Sequence, residues 1–398
     1  MADSRQAAHL VGDRLREAVR GLRGQQNSEI LRLALPAFGA LVAEPLFLLA
    51  DSAIVGRLGT IPLGGLGVAS QVLTTLVNIS IFLAYGTTAA VARQLGAGHR
   101  EAAIRLGIDG LWLAAAIGLV VLGAGWPLSP LLVRAFGGTT AVSNEAIIYL
   151  RISLLGAPAM LIVLAGTGIL RGLQDTRTPL LVAVAANAVN VVLNATFVLG
   201  LHWGIAGSAW GTVIAQFGTC AAYLLVVSRG ARRAGVSRRP DLAGVRAAAY
   251  AGASLVLRTL ALQAVLVLMT AIAARQGDAA VAANQVAMRV WNLFVLALDA
   301  IAIAGQAITG RYLGAGDVPA AQAATRRMIA WGAVYGLIFS VVCWRSGRSS
   351  RRCSASHLTC GGCSSPSCSS SSSSSRPPGS CSCSTAFSSA PETRTTLR

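Results

Sequence analysis

The run TPLLVAVAANAVNVVLNATFVLGLHWGIAGSAWGTVIAQFGTCAAYLLVVS, residues 178–228, contains no charged side chain. A helix that crosses a bilayer needs roughly 20 mainly apolar residues, so the run is long enough for two helices and a turn. Gly200-Leu201-His202-Trp203-Gly204 marks that turn, because glycine releases the chain and Trp favours the membrane interface. Residues 58–92 form a second uncharged run. Over the whole chain 54% of residues are hydrophobic and 12% charged, against about 25% charged in soluble domains. These features predict an all-α polytopic membrane protein.

Nine spans are predicted, near Ile30–Gly56, Gly64–Ala92, Leu111–Val133, Ile147–Leu170, Pro179–Leu199, Ile205–Ser228, Val256–Ala274, Val281–Ile308 and Met328–Trp344. Arginines set the orientation. Arg5, Arg14, Arg16, Arg20, Arg23 and Arg32 precede or open span one, and the loops after spans two, four, six and eight hold arginines. The loops after spans one, three and seven hold one each (Arg57, Arg134, Arg275), and the loop after span five none. The alternation predicts a cytoplasmic N-terminus and a multi-pass protein of the inner (plasma) membrane. Residues 1–29 read either as a basic amphipathic helix on the lipid surface, with Leu10, Leu15, Ala18, Val19 and Leu22 on one side, or as a disordered basic tail.

All 33 basic residues are arginine. Without lysine there is no Gly-Lys-Ser/Thr phosphate loop and no Schiff-base lysine. With four histidines and no hydrolytic or metal constellation, an enzyme is not expected.

The end of the chain breaks the pattern. Arg345, Arg348, Arg351 and Arg352 follow the ninth span on the side that should lie outside. Six of the eight cysteines lie at or beyond Cys353, and Ser369 to Ser375 is a serine run. Cys360-Gly-Gly-Cys363 lacks a well-spaced partner pair for zinc. We read residues 345–398 as a disordered tail produced by a shifted reading frame.

Two segments repeat. Gln71-Val72 is followed, after an apolar stretch, by Arg93-Gln-Leu-Gly-Ala-Gly98, and Gln285-Val286 by Arg311-Tyr-Leu-Gly-Ala-Gly316. The copies fall on spans two and eight with the same orientation, which implies a parallel duplication of a six-helix unit. The predicted organisation is a basic segment 1–29, an N-terminal six-helix lobe 30–228, an Arg-rich linker 229–250, a pseudo-symmetric second lobe 251–344 truncated to about three helices, and the tail 345–398.

Four stretches carry a family resemblance: Asp51-Ser-Ala-Ile-Val-Gly-Arg-Leu-Gly59, Arg93 to Gly98, Arg171-Gly-Leu-Gln-Asp-Thr-Arg-Thr-Pro179, and Asp299-Ala-Ile-Ala-Ile-Ala-Gly-Gln306. Over residues 30–343 the chain resembles the multidrug and toxic compound extrusion (MATE) family, in its DinF-like branch. The resemblance implies two six-helix lobes around a central cavity, cation-driven export of organic compounds, and an acidic ion-coupling residue on span one, the position of Asp51. It also implies a second carboxylate on span five, four residues after an Asn. Here that pair is Asn190 and Asn194, so the second acid is missing.

Read without the resemblance, acids inside spans are functional candidates, because a carboxylate in lipid is costly unless paired, hydrated or protonated. Asp51 and Glu44 lie on one face of span one, roughly 10 Å apart, and Pro36 and Pro45 weaken that helix's hydrogen-bond ladder. Protonation of Asp51 would remove the charge, relax a bend and release substrate; the alternative is that Asp51 only bonds a neighbouring helix. Asn187, Asn190 and Asn194 share a face of span five, where they line a polar cavity, ligate a cation or join helices. Asp299 lies in span eight, ten residues after Arg289 and not stacked on it, so either meets a partner on another helix. Asp51, Glu44, Asn190, Asn194 and Asp299 are the ion-coupling candidates. Asn187, Tyr85 and Trp291 are the substrate-binding candidates, the aromatic pair through stacking on a cation or, for Trp291, as an interfacial anchor. Asp175 and Thr176 are assigned a structural role in their loop.

No cofactor is expected beyond H+ or Na+ as coupling ion. The expected partners are the bilayer and small organic, in part cationic, substrates, with no nucleic acid and a monomeric state. Two other readings stand beside export. A lipid-linked precursor flippase would need several arginines in the cavity to grip phosphate, and Arg289 is taken as the main arginine inside a span. A truncated remnant would move nothing.

Overall fold

A computed structural model of the chain describes residues 25–136, 139–275 and 278–360. Segment 1–24, with its amphipathic-helix reading, and residues 361–398 lie outside them. The described residues form eleven helices and no strand: α1 Gln25–Gly56, α2 Thr60–Ser80, α3 Phe82–Gly96, α4 Arg100–Phe136, α5 Thr140–Leu155, α6 Ala157–Gly172, α7 Arg177–Ala195, α8 Gly204–Arg233, α9 Leu242–Arg275, α10 Asp278–Gly314 and α11 Val318–Cys360. α2 and α3 together make one span, Thr60–Gly96, and α5 with α6 another, bent by 54°. Among the described residues this makes nine spans, with the bent pair counted as one, in the predicted order. The chain divides into two units, Met1–Ser340 and Val341–Arg398; only the end of α11 is described in the second.

The bend does not fall where the prolines of span one lead one to look. α1 runs as one helix through Pro36 and Pro45. The break comes at Gly156, with Pro158 in the first turn of α6. Gly156 has no side chain because the Gln216 amide oxygen of α8 occupies the place of a Cβ. A proline in the first turn costs no hydrogen bond, whereas it ends the helix before it.

The predicted turn at residues 200–204 is present, with His202 at φ 56° and Gly204 at φ 60°. Just before it, Thr196–Gly200 widens into a π-helical turn, and Phe197 stacks on Trp203 with ring centroids 5.1 Å apart. The linker is shorter than predicted. α8 continues to Arg233 and α9 starts at Leu242, leaving 234–241 as the connection. The start of the predicted tail needs correction too. α11 continues past Trp344 to Cys360, through arginines that favour helix and before the next proline after Pro319, Pro366.

Two apolar clusters lie among helices α1 to α8. One gathers Leu66, Val72, Leu150, Leu154 and Ile205; the other Phe82, Ile108, Leu161, Ile169 and Val227. Helices approach closely through small residues, as is usual in bilayers. A Cβ on Gly65 would stand 3.0 Å from the Ala146 nitrogen, and one on Gly172 2.9 Å from the Thr88 carbonyl oxygen. A third cluster joins Ile30, Leu33 and Ala34 of α1 to Ala304 and Ile308 of α10 and Ala324 of α11.

The two copies of the repeat have the same local structure. Gly98 and Gly316 adopt φ 80° and 75°. The His99 amide donates to the Gln94 carbonyl and that of Asp317 to the Tyr312 carbonyl, each at 3.0 Å, the long-range bond of a glycine-terminated helix. The copies also lie reciprocally against each other. A Cβ on Gly96 would stand 2.7 Å from the Arg311 carbonyl carbon, and one on Gly314 2.8 Å from that of Arg93.

Candidate functional site

Asp51 is buried on α1, 2% exposed. Its Oδ1 accepts hydrogen bonds from Asn194 Nδ2 of α7 and Ser208 Oγ of α8, both at 2.7 Å. Asn194 and Ser208 are fully buried, and the Asn194 Oδ1 has no partner. Gly211 makes room for that oxygen, since a Cβ there would overlap it. Asn190, one turn earlier on α7, is also buried with an unpartnered Oδ1. Tyr149 of α5 lies buried nearby, its hydroxyl among Ser153, Ser208 and Thr212, and it interacts electrostatically with Asp51. The arrangement places a buried carboxylate near two unpartnered amide oxygens where three spans pack together.

The other predicted residues distribute as follows. Asn187 donates from Nδ2 to the Ala43 carbonyl at 3.2 Å, tying α7 to α1 one residue before Glu44. The Glu44 and Arg289 side chains are outside the described residues. Asp299 on α10 interacts electrostatically with Arg171 of α6 and Arg258 of α9, and Tyr85 of α3 belongs to the same group. Trp291 is half-exposed and contacts Phe294, 5.9 Å between centroids, which stacks on Tyr335 of α11 at 5.1 Å. By their contacts, then, Asp51 and Asn194 form one group, with Asn190 one turn away on α7 and not hydrogen-bonded to Asp51, and Asp299 with Tyr85 form another.

Arg289 is not the main arginine inside a span. Arg151 donates from Nε to Ser129 Oγ at 3.0 Å, and Arg171 and Arg258 serve Asp299. Sequence reasoning also missed Ser208, a small hydroxyl in an apolar helix, and Asp109. The latter is buried on α4 and accepts the Asp241 amide at 3.1 Å, at the start of α9. Its visible signal was an acid within Leu106-Gly-Ile-Asp-Gly-Leu111.

In the loop motif, Asp175 bonds the start of α7. Asp175 Oδ1 accepts the Arg177 and Thr178 amides at 3.1 and 3.0 Å, and Oδ2 the Thr178 hydroxyl at 2.6 Å. Gln174, at φ 68°, donates from Nε2 to the Ala307 carbonyl of α10 at 2.8 Å. Beside it, Arg311 of α10 pairs with Glu29 of α1, and the Tyr312 hydroxyl reaches Glu29 at 3.2 Å. Among the described residues no group of three or more His, Cys, Asp and Glu side chains gathers as for a metal.

Comparison with known proteins agrees with this architecture. The family model described as MatE matches residues 36–196 and 255–347. DNA damage-inducible protein F of Escherichia coli (strain K12) is 32% identical over 321 residues, 79% of this chain and 70% of that protein. Protein DETOXIFICATION 44, chloroplastic, of Arabidopsis thaliana is 30% identical over 308 residues, covering 74% of this chain and 58% of that protein. The solved structure of a MOP superfamily transporter from Pyrococcus furiosus Vc1 superposes with a TM-score of 0.71 at 26% identity, over 80% of this chain and 71% of that one. The chain belongs to the MatE family, whose members are membrane transporters and not enzymes.

Proposed function

We propose that this chain is a secondary transporter of the plasma membrane that exports small organic compounds, cationic ones among them, in exchange for protons or sodium ions. The arginine-rich side faces the cytoplasm. The observation that carries this reading is Asp51, a carboxylate withdrawn from water in the middle of three packed spans and held by two hydrogen-bond donors. An ionised carboxylate only accepts hydrogen bonds, and the Asn194 amide and Ser208 hydroxyl supply donors. A protonated one donates as well, and a rotated Asn194 amide would present its unpartnered oxygen to that proton. The same oxygen, with that of Asn190, would serve a sodium ion, a hard cation that prefers oxygen ligands. Neutralising Asp51 in either way weakens its hold on α7 and α8, which couples ion entry to the packing of α1.

The test uses proteoliposomes with imposed pH or sodium gradients and a fluorescent organic cation. Asp51→Asn keeps the site's shape and removes its charge. Gradient-driven transport should fall at least tenfold, while binding of the cation in detergent changes less. Undiminished transport by Asp51→Asn would overturn the assignment. The gradient that drives the unaltered protein identifies the ion.

A further inference from the structure

On the flank of the first lobe, away from Asp51, α4, α6 and α8 enclose an apolar groove of about 290 Å³. Leu111, Trp112 and Ala115 of α4, Ile162 of α6 and Val227 of α8 form its walls, and Arg238 of the linker stands at one end. The linker is pinned there: the Trp112 indole N–H donates to the Arg238 carbonyl at 3.1 Å. Trp112 and Leu224, both on this flank, are 47% and 42% exposed, so on a membrane-spanning lobe they face acyl chains. Trp112 is bonded to the arginine-rich linker at the end of the span, where the ring borders acyl chains and its N–H the interface that tryptophan favours.

The charge around the mouth has one sign. Arg232, Arg233, Arg238 and Arg239 are exposed, and among the described residues none of them is ion-paired. The nearby acids are already engaged, Asp241 with Arg105 at 3.8 Å and Asp109 with the Asp241 amide at 3.1 Å. An apolar slot open to the bilayer, ending under unpaired guanidinium groups at headgroup level, has the complementarity of one kind of molecule.

We infer that this groove binds one anionic phospholipid, its acyl chain between α4, α6 and α8 and its phosphate at Arg238. A headgroup with net negative charge is preferred over a zwitterionic one by about fivefold for each arginine engaged. Bound there, the lipid ties the linker to the first lobe at the start of α9. The inference does not depend on what the chain transports.

Trp112 is itself the reporter. The full chain is placed in phosphatidylcholine nanodiscs containing a small fraction of brominated phosphatidylglycerol or brominated phosphatidylcholine. Tryptophan quenching is measured for the unaltered chain and for Trp112→Phe, whose difference isolates Trp112. Quenching of Trp112 should half-saturate at about fivefold less phosphatidylglycerol than phosphatidylcholine. Arg238→Gln, which keeps the backbone carbonyl bonded to Trp112, should abolish that preference, and Ala115→Phe should weaken quenching by both lipids. Equal quenching by the two lipids, a preference that survives Arg238→Gln, or no quenching of Trp112 by either lipid would each overturn the inference.

Discussion

Helices α2 to α8 and helices α9 to α11 solve the same packing problem differently. In the first region backbones touch through glycines. Besides Gly65 and Gly172, a Cβ on Gly118 would stand 3.1 Å from the Pro158 nitrogen and one on Gly168 2.5 Å from the Ala84 carbonyl oxygen. In the second region large side chains bridge helices that stand apart: Met328 lies over Gly305, and Phe294 sits between Tyr335 and Phe339, 5.1 and 4.5 Å between centroids. Within the most apolar parts of α8 and α10, 39% and 41% of residues are buried; within that of α11, none are. Lipid is as apolar as leucine, so close van der Waals contact, more than removal from water, separates a tightly held helix from a loosely held one. The tight packing thus ends at α11, and α1 and α10 carry the connection between the two regions.

The same substitution made in both regions tests this most severely. At Gly168→Ala the new methyl meets the backbone of Ala84, which cannot swing aside. Such overpacking costs about 1–3 kcal/mol. At Gly336→Ala the nearest atom is Phe294 Cζ at 4.0 Å, and the change should be neutral or stabilising by up to about 1 kcal/mol through helix propensity. Thermal unfolding in detergent should show a lowered Tm only for the first variant. Equal losses would mean that the second region is as tightly packed as the first.

A smaller difference is expected at the caps. Asp175 satisfies two amides and a hydroxyl at the start of α7, whereas Asp317 satisfies the Ala320 amide alone at the start of α11. Loss of a cap costs about 0.5–2 kcal/mol. Asp175→Ala belongs at the upper end of that range and Asp317→Ala at the lower, measured by the same unfolding assay. A reversed order would show that α11 depends on its cap more than its sparse burial implies.

How much of this was legible in the sequence depends on whether the cause was local. Span order follows from uncharged runs such as residues 58–92, and the turn at Gly200–Gly204 follows from its glycines. The repeat was legible because Gly98 and Gly316 terminate helices in the same way; that the two copies lie on each other was not, since the contact joins residues far apart in the chain. The bend at Gly156 was missed because Pro36 and Pro45 drew attention to α1, although Pro158, which ends the helix before it, stood in the sequence; only the packing of Gln216 over Gly156 belongs to another helix. Asp51 stood out as an acid in an apolar run, and Asn194 through its spacing from Asn190. Ser208 carries no comparable signal. The partners of Asp299, Arg171 and Arg258, were hidden for the same reason of distance along the chain.

The smallest predicted effect falls on the connection between the regions. Glu29 of α1 pairs with Arg311 and also accepts the Tyr312 hydroxyl, and Arg311 is the residue whose backbone Gly96 lies against. The side chains of Glu29 and Arg311 are 26% and 33% exposed, so water and salt screen the pair, and its contribution should be about 0.2–1 kcal/mol. Glu29→Gln keeps the length and the hydrogen-bonding oxygen while removing the charge. It should lower Tm slightly at low ionic strength, and the difference from the unaltered chain should vanish near 1 M salt, where the Debye length is about 3 Å. A loss that persists in high salt would mean that the contact acts through packing. The apolar contacts of Ile30, Leu33 and Ala34 with Ala304 and Ile308, and not the charge pair, would then hold α1 to α10.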